Sequence, residues 1–198
     1  MFIELAEFLR CPEPHELSNV VLVPEVMAGR DVVAGSVGCP VCRREYPILG
    51  GVAEFGGDSW PPGASPAAPP PDPHAVQALV GLESPGGYVV LLGSAAQLAP
   101  ALAGAMPGVR FVGFGAPPGT ATSPAVSLLR CGRTIPLRPG MARGVVLGAE
   151  HTVPPWLDEG ARLLLRGQRL VALTQGIRPP GGVEPTAEGR GMWVGMKR

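Results

Sequence analysis

The chain has 198 residues, 45% of them hydrophobic and 16% charged, and its sixteen basic side chains balance sixteen acidic ones. This composition excludes a wholly disordered protein, although glycine and proline together exceed a quarter of the residues and predict local irregular structure. The zero net charge excludes a polybasic protein that binds nucleic acid or anionic lipid through a global field. Nucleic acid stays among the candidate partners, although the net charge does not indicate nucleic-acid binding.

The sequence carries no sign of a membrane segment. No apolar run approaches the roughly 20 residues that span a bilayer, and the first nine residues include Glu4 and Glu7 instead of a basic leader. We therefore expect a cytoplasmic protein without membrane contact. Four cysteines in such a chain are more often metal ligands or buried thiols than disulfides.

The first domain, residues 1–55, predicts a short amphipathic helix followed by three or four strands. Apolar residues at helical spacing place the helix over Phe2–Leu9. Runs of β-branched residues bounded by proline or glycine predict strands at Val20–Val23 and Asp31–Val37, and residues 46–55 predict one or two more. A domain of about 55 residues rarely holds together by its core alone, so a staple such as a metal ion is expected.

A segment rich in proline, glycine and alanine, residues 56–73, separates this domain from residues 74–198. Its composition disfavours helices and paired strands and favours extended polyproline conformations, so we interpret it as a linker. A linker of this length reaches on the order of 50 Å when extended. The two domains therefore need not be neighbours within one molecule.

Strand-like and helix-like segments alternate in the second domain, which predicts a parallel α/β sheet. The continuous apolar run Tyr88–Leu92 is typical of a strand buried on both faces. The other predicted elements are a helix at Ala95–Met106, strands at Val109–Phe114 and Val145–Leu147, a helix at Trp156–Leu165, and strands at Arg169–Thr174 and Met192–Met196.

Some of the peripheral helices of such a sheet are expected to be missing. Residues 116–136 leave little room for both a strand and a full helix. An open apolar face costs roughly 25 cal/mol per Å² in water. We therefore expect that face to be covered by the first domain, by a second copy of the chain or by a partner.

Three cysteines and one histidine in the first domain form the sharpest chemical motif. Cys39 and Cys42 have the two-residue spacing that lets both thiolates of a tight turn face one tetrahedral metal ion. Cys11 and His15 lie upstream and would complete a set of three cysteines and one histidine, which is ordinary for zinc. We predict a structural zinc ion held by these four residues.

Two alternatives stay open for this motif. A redox pair of cysteines should follow a strand and open a helix, whereas Tyr46 and Pro47 here lead into a strand. A decayed site would leave buried thiols without a metal ion. The fourth cysteine, Cys131, lies far along the chain and is interpreted as a core residue.

The first domain also resembles a known family. Cys11–Pro12, Gly38–Cys42 and Tyr46–Val52 follow one another in the order found in the Trm-type zinc-ribbon activators, and the similarity covers residues 2–55. Members of that family are small subunits that bind and stabilise methyltransferases. The resemblance implies a structural zinc ion and a protein partner. This chain departs from the family at His15, where a second cysteine is usual.

The second domain is similar to the class I S-adenosylmethionine-dependent methyltransferases. Ile135–Leu147 and Glu159–Leu173 resemble stretches of that family. Its members usually hold the cofactor with a glycine-rich loop, an acidic residue near the first strand and a second acid at the end of the second strand. Here Gly93 keeps one glycine position, whereas Leu91 and Gly115 stand where the acids are expected.

Together the two resemblances imply an α/β protein. It comprises a small β-rich zinc ribbon and a shortened Rossmann-like, methyltransferase-type parallel sheet with a final antiparallel strand. Gly93 is the one candidate cofactor contact, and binding of S-adenosylmethionine is not expected. We expect a non-catalytic binding or scaffolding subunit that engages a protein partner, such as an active methyltransferase or a second copy. The alternative is an S-adenosylmethionine-dependent methyltransferase with a divergent pocket that acts on RNA or protein.

Overall fold

The structure is a computed structural model that describes residues 1–56, 71–132 and 134–198. Residues 57–70 of the expected linker lie outside this described part. Within it, eleven strands form one mixed sheet, and three short α-helices pack against that sheet.

The N-terminal part comprises a 3-10 helix and four antiparallel strands. The helix expected over Phe2–Leu9 is present as a 3-10 helix, because a segment this short gains little from α-helical propagation. The elements are the 3-10 helix Ile3–Phe8, β1 Val21–Ala28, β2 Asp31–Gly38, β3 Glu45–Leu49 and β4 Val52–Glu54.

The first strand is longer than the sequence predicts, because Pro24 does not end it. β1 is an edge strand, and a proline is tolerated there since its nitrogen need not donate a ladder hydrogen bond. The register of β1 against β2 shifts between Pro24 and Val26, which marks a β-bulge. A proline, a bulge and the exposed charge of Glu25 together disfavour pairing of this edge with another chain.

The second part alternates strands and helices as predicted, with three strands or helices that the sequence did not predict, α1, β7 and β10. α1 begins at Pro73, inside the expected linker, where the Asp72 side chain accepts a hydrogen bond from the His74 N–H and caps the helix. The elements are α1 Pro73–Val80, β5 Tyr88–Leu92, a 3-10 helix Gly93–Leu98, α2 Ala99–Ala105, β6 Arg110–Phe114, β7 Val126–Arg130, β8 Ala142–Leu147, α3 Trp156–Leu163, β9 Leu164–Ala172, β10 Val183–Gly189 and β11 Met192–Lys197.

The strand order across the sheet is β1-β2-β3-β4-β7-β6-β5-β8-β9-β11-β10. Neighbours from β4 to β9 in this order pair in parallel, whereas β11 is antiparallel to both β9 and β10. This confirms the predicted α/β architecture, a Rossmann-like methyltransferase-type sheet whose final strand is antiparallel.

The two parts of the chain meet within the sheet itself. β4 pairs in parallel with β7, and the paired residues are Val52 with Leu128, Ala53 with Leu129, and Glu54 with Arg130. The Arg130 guanidinium also donates to the Glu54 carboxylate at 2.9 Å. The N-terminal strands are therefore direct neighbours of the parallel sheet, a closer arrangement than an extended linker requires.

The parallel strands are covered on both faces, as their apolar sequences predict. One face packs against the N-terminal 3-10 helix and α3, and the Phe8 ring lies edge-on to Tyr88 with centroids 5.1 Å apart. The other face packs against α1 and α2. The N-terminal part thus covers part of the sheet face that was expected to need a cover.

The connection between β6 and β7 contains no helix, in agreement with the limited room in that stretch. A concavity of about 750 Å³ lies beside it, lined by the ends of β4, β6 and β7 and by the start of β3. In the described part of the chain, no helix is long and apolar enough to cross a bilayer.

Candidate functional site

The structure brings the four predicted metal ligands together. Cys11 lies between the N-terminal 3-10 helix and β1, with His15 four residues further on, while Cys39 and Cys42 form the turn between β2 and β3. One ligand atom from each residue lies within 4.8 Å of every other. Antiparallel pairing of β1 with β2 brings the two halves of the motif to the same end of the sheet.

Two of the distances within this Cys/His cluster are close to the edges of a tetrahedron around zinc. Zn–S bonds of about 2.3 Å and Zn–N bonds of about 2.0–2.1 Å imply S···S separations of about 3.8 Å and S···N separations of about 3.6 Å. The Sγ atoms of Cys11 and Cys42 are 3.7 Å apart, and Cys39 Sγ lies 3.4 Å from His15 Nε2. The donor set therefore fits a zinc ion with all four positions taken by the protein.

Groups around the cluster orient its ligands. His15 Nδ1 lies 2.6 Å from the Glu16 carbonyl oxygen, so a proton on Nδ1 would leave Nε2 free to bind a metal ion. Tyr46 places its hydroxyl 3.4 Å from Cys11 Sγ and also donates to Glu13. Such second contacts fix the ring and thiolate orientations that a metal site needs.

The thiols of the cluster differ in acidity. Burial would raise the pKa of Cys39, but hydrogen bonds from the backbone N–H groups of Cys42 and Val41 outweigh burial and lower this pKa to about 6. Burial raises the pKa of Cys11 to about 11. The turn between β2 and β3 thus favours a thiolate, which is the form that binds metal ions.

The candidate cofactor contact, Gly93, lies in the turn after β5. Its φ of +63° favours glycine, and a Cβ there would overlap Glu150 Oε1 and His151 Nδ1. The Ser94 N–H donates to Glu150 Oε1 at 2.5 Å, and the Ser94 hydroxyl donates to Glu150 Oε2 at 2.9 Å. Side chains of the chain itself therefore fill the space next to this turn.

Glu150 is held as a carboxylate by these contacts. Burial alone would raise its pKa, but hydrogen bonds with His151 and with the Ser94 N–H and hydroxyl lower the pKa to about 2. His151 is almost fully buried, and its ring packs edge-on against Trp156 with centroids 5.1 Å apart. Glu150 is thus followed directly by a residue that is anchored in the protein interior.

The structure places no carboxylate at the two positions where the resemblance leads one to look for acids. Leu91 is fully buried among the side chains that pack against α1 and α2. Gly115 follows β6 and has a φ of +58°. Ala95, at a position where the family has glycine, is buried in the same core layer as Leu91.

Sequence reasoning alone did not identify the contact between Ser94 and Glu150. The one signal in the sequence is that Glu150 and His151 follow the predicted strand β8, at the edge of the sheet where α/β proteins bind ligands. Cys131 follows β7, where it is partly buried and packs against the core, and burial raises its pKa to about 12.

No family model and no curated protein matches the sequence. Solved structures with a similar fold are class I methyltransferases. A methyltransferase from Aquifex aeolicus matches with 16% identity and a TM-score of 0.47, over 64% of this chain and 88% of that one. The antibiotic-resistance methyltransferase Kmr matches with 14% identity and a TM-score of 0.44, over 64% and 92%.

A third match comes from a complex between the Haloferax volcanii Trm112 methyltransferase activator and a candidate methyltransferase. It has 22% identity and a TM-score of 0.41, over 50% of each chain. Identities this low accompany shared folds and say nothing about shared reactions.

Proposed function

We propose that this protein is a non-catalytic binding subunit, in which a zinc-stabilised ribbon and a methyltransferase-like sheet form one scaffold. The observation that carries the proposal is the turn after β5. Its Ser94 donors are already bound to Glu150, and Gly93 is closed over by Glu150 and His151. A donor molecule would have to displace these side chains before the backbone at Gly93 could approach it.

The metal ion belongs to the scaffold in this proposal. Cys11, His15, Cys39 and Cys42 would hold zinc with no open position, so the ion would supply folding energy and no catalysis. It would fix the turn between β2 and β3 and the segment after the N-terminal 3-10 helix. Both segments flank the strands that extend the parallel sheet.

The partner would bind the outer face of the N-terminal strands. Val23 in β1 is 53% exposed and Leu49 in β3 is 58% exposed, and Val21 and Val26 lie on the same strands with similar exposure. Clustered apolar side chains of this kind are typical of interaction surfaces. Glu45 and Pro47 of β3 line the concavity beside β4 and β7. Both edges of β4 are already paired, one with β3 and the other with β7, so a partner cannot add a strand to β4.

Calorimetry on the zinc-loaded protein tests the non-catalytic role. We expect no heat of binding from S-adenosylmethionine or S-adenosylhomocysteine at concentrations up to about 1 mM. A micromolar dissociation constant for either compound would overturn the proposal and favour the divergent methyltransferase.

Substitutions on the outer face test the binding role. Size-exclusion chromatography with light scattering is used to find a complex of the purified protein, either with itself or with a methyltransferase from the same cell. Leu49→Asp and Val23→Asp should abolish that complex, whereas Leu165→Asp, at an exposed apolar residue of β9, should not. A strictly monomeric protein without any stable partner contradicts the binding role.

A further inference from the structure

Arg10 lies just after the N-terminal 3-10 helix, and its guanidinium group has no partner among the described residues. The residue is only 8% exposed. Its Nε atom is shielded from solvent and donates to no acceptor in the described part of the chain. The ion pairs formed by the described residues do not include Arg10. A buried positive charge therefore lacks both a hydrogen-bond acceptor and a counter-charge.

The charged neighbours of Arg10 in the described part of the chain are Arg162 and Glu159 of α3, which already pair with each other. Arg162 donates to both carboxylate oxygens of Glu159, from Nε at 2.6 Å and from Nη2 at 2.8 Å. The Ile135 N–H also donates to Glu159, at 2.8 Å. Two guanidinium groups thus lie near one carboxylate whose oxygens are both occupied, so one positive charge has no counter-charge.

The backbone keeps Arg10 in this buried position. Its N–H donates to the Pro136 carbonyl oxygen at 3.1 Å, and the residue forms an antiparallel bridge with Asn19. The chain cannot move Arg10 toward solvent without breaking this pairing. Because a buried charge without a partner is unfavourable, the position favours the arrival of an anion from outside the chain.

An external anion can reach the guanidinium group. The two Nη atoms form no hydrogen bond with the described residues and are not among the fully shielded polar atoms, so they contact solvent. A guanidinium group binds two oxygens of a carboxylate or a phosphate in one plane, and such charge-assisted pairs are strong. Arg10 does not line the concavity beside β4 and β7, so the two places are separate.

We propose that Arg10 is the centre of a binding site for a single oxyanion, a phosphate or carboxylate group, which the guanidinium group holds through paired hydrogen bonds. The anion supplies the negative charge that Glu159 cannot supply. This inference goes beyond the proposed binding subunit and does not depend on it, because it involves neither the outer face nor the turn after β5. For one guanidinium group we expect a dissociation constant of about 1 to 10 mM.

Thermal melting tests the site with inorganic phosphate and acetate as probes and sodium chloride at equal ionic strength as the reference. The zinc-loaded proteins are wild type, Arg10→Met, Arg10→Lys and the control Arg166→Met, which removes an exposed arginine of β9. At about 50 mM, at least one probe should raise the melting temperature of wild type and Arg166→Met by roughly 3 to 5 °C. Arg10→Met should show only the general stabilisation that phosphate gives to folded proteins.

The variants separate a binding site from an internal structural contact. In chloride, Arg10→Met should melt no lower than wild type, because it removes a charge that has no partner. Arg10→Lys keeps the charge without the planar group and should bind about tenfold more weakly. Equal responses of wild type and Arg10→Met to both probes overturn the inference. A clearly lower melting temperature of Arg10→Met with its zinc retained also overturns it, because the charge would then be compensated within the chain.

NMR on wild type supplies a test that does not require Arg10→Met to fold or to keep its zinc. The Nε–H signal of Arg10 is identified by its absence from Arg10→Lys and is followed while phosphate or acetate is added. A saturable shift with phosphate alone assigns a phosphate group to the site, and one with acetate alone assigns a carboxylate. If the Arg10 signal moves with neither probe, the inference is wrong.

Discussion

Polar side chains converge both at the Cys/His cluster and at the turn after β5. Only at the turn do these groups satisfy one another without a ligand. In the cluster, three thiols and an imidazole face one another at distances that suit a metal ion between them. At the turn, the Ser94 donors and the Glu150 carboxylate satisfy each other. Thiols and imidazoles that face one another need a bound cation, whereas a carboxylate that accepts hydrogen bonds from nearby donors needs no ligand.

This contrast separates two kinds of evidence for a binding site. A cluster of potential thiolates is unfavourable without a cation, because like charges at this range repel. A carboxylate with matched donors is favourable without any ligand. The first region should therefore depend strongly on an added ion, and the second should depend on residues of the chain alone.

The largest effect is expected from removing a metal ligand. Cys39→Ser should release the zinc ion and lower the melting temperature by on the order of 10 °C, because the free energy of metal binding is also folding free energy. Zinc content by mass spectrometry and thermal unfolding check this. Cys131→Ser, outside the cluster, should keep its zinc. If Cys39→Ser retained both zinc and stability, the four residues would not form a metal site.

A smaller loss is expected at the ligand that departs from the usual family pattern. His15→Ala should lower zinc affinity at least about tenfold, while His15→Cys should retain the ion because four thiolates also suit zinc. Competition with a chromogenic chelator measures both. Equal affinity in His15→Ala and wild type would mean that the imidazole is not a ligand.

Acid should destabilise the turn after β5 by protonating Glu150. The folded-state pKa of Glu150 is about 2, below its ordinary value of 4.5, so its stabilising contribution is present above pH 4.5 and is lost as the pH falls toward 2. The shift corresponds to at most about 3 kcal/mol. Glu150→Gln should lack this part of the pH dependence.

Urea unfolding of wild type and Glu150→Gln between pH 5 and pH 2 measures the difference. Because both proteins carry the same zinc ligands, release of zinc in acid affects both and cancels in the comparison. Parallel curves for the two proteins would show that Glu150 is not held by the contacts described.

The smallest effect is expected around the metal ligands. Tyr46→Phe removes the hydroxyl that contacts Cys11 and Glu13 but keeps the ring that packs on Phe55. We expect a loss of about 1 kcal/mol in unfolding free energy and a decrease in zinc affinity of no more than about tenfold. A complete loss of zinc would assign this tyrosine a larger role in the cluster.

Local sequence patterns predicted much of the fold. The two-residue spacing of Cys39 and Cys42 fixes a turn whatever surrounds it, and the apolar run Tyr88–Leu92 corresponds to β5 residue for residue. Both signals are contained within a few neighbouring residues. The approach of Cys11 and His15 to that turn also follows, once β1 and β2 are recognised as a hairpin.

Features that depend on distant contacts were not predictable. β10 carries Pro185 and mostly exposed residues, so no apolar alternation marks it. The parallel pairing of Ala53 with Leu129 joins residues far apart in the chain, and short apolar strands do not reveal their neighbours. The closure of the β5 turn by Glu150 depends on how two loops meet above the sheet.

The parallel pairing of β4 with β7 has a consequence for how the protein unfolds. Pairing β4 with β7 requires closing the long loop of chain between these two strands, which is slow and entropically costly. Once formed, this strand pair joins the end that carries the Cys/His cluster and the helix-covered end in one hydrogen-bonded sheet. Heat, chelator and denaturant should therefore unfold both ends in a single cooperative transition, and an ion bound by the cluster would protect amide protons at the other end from exchange.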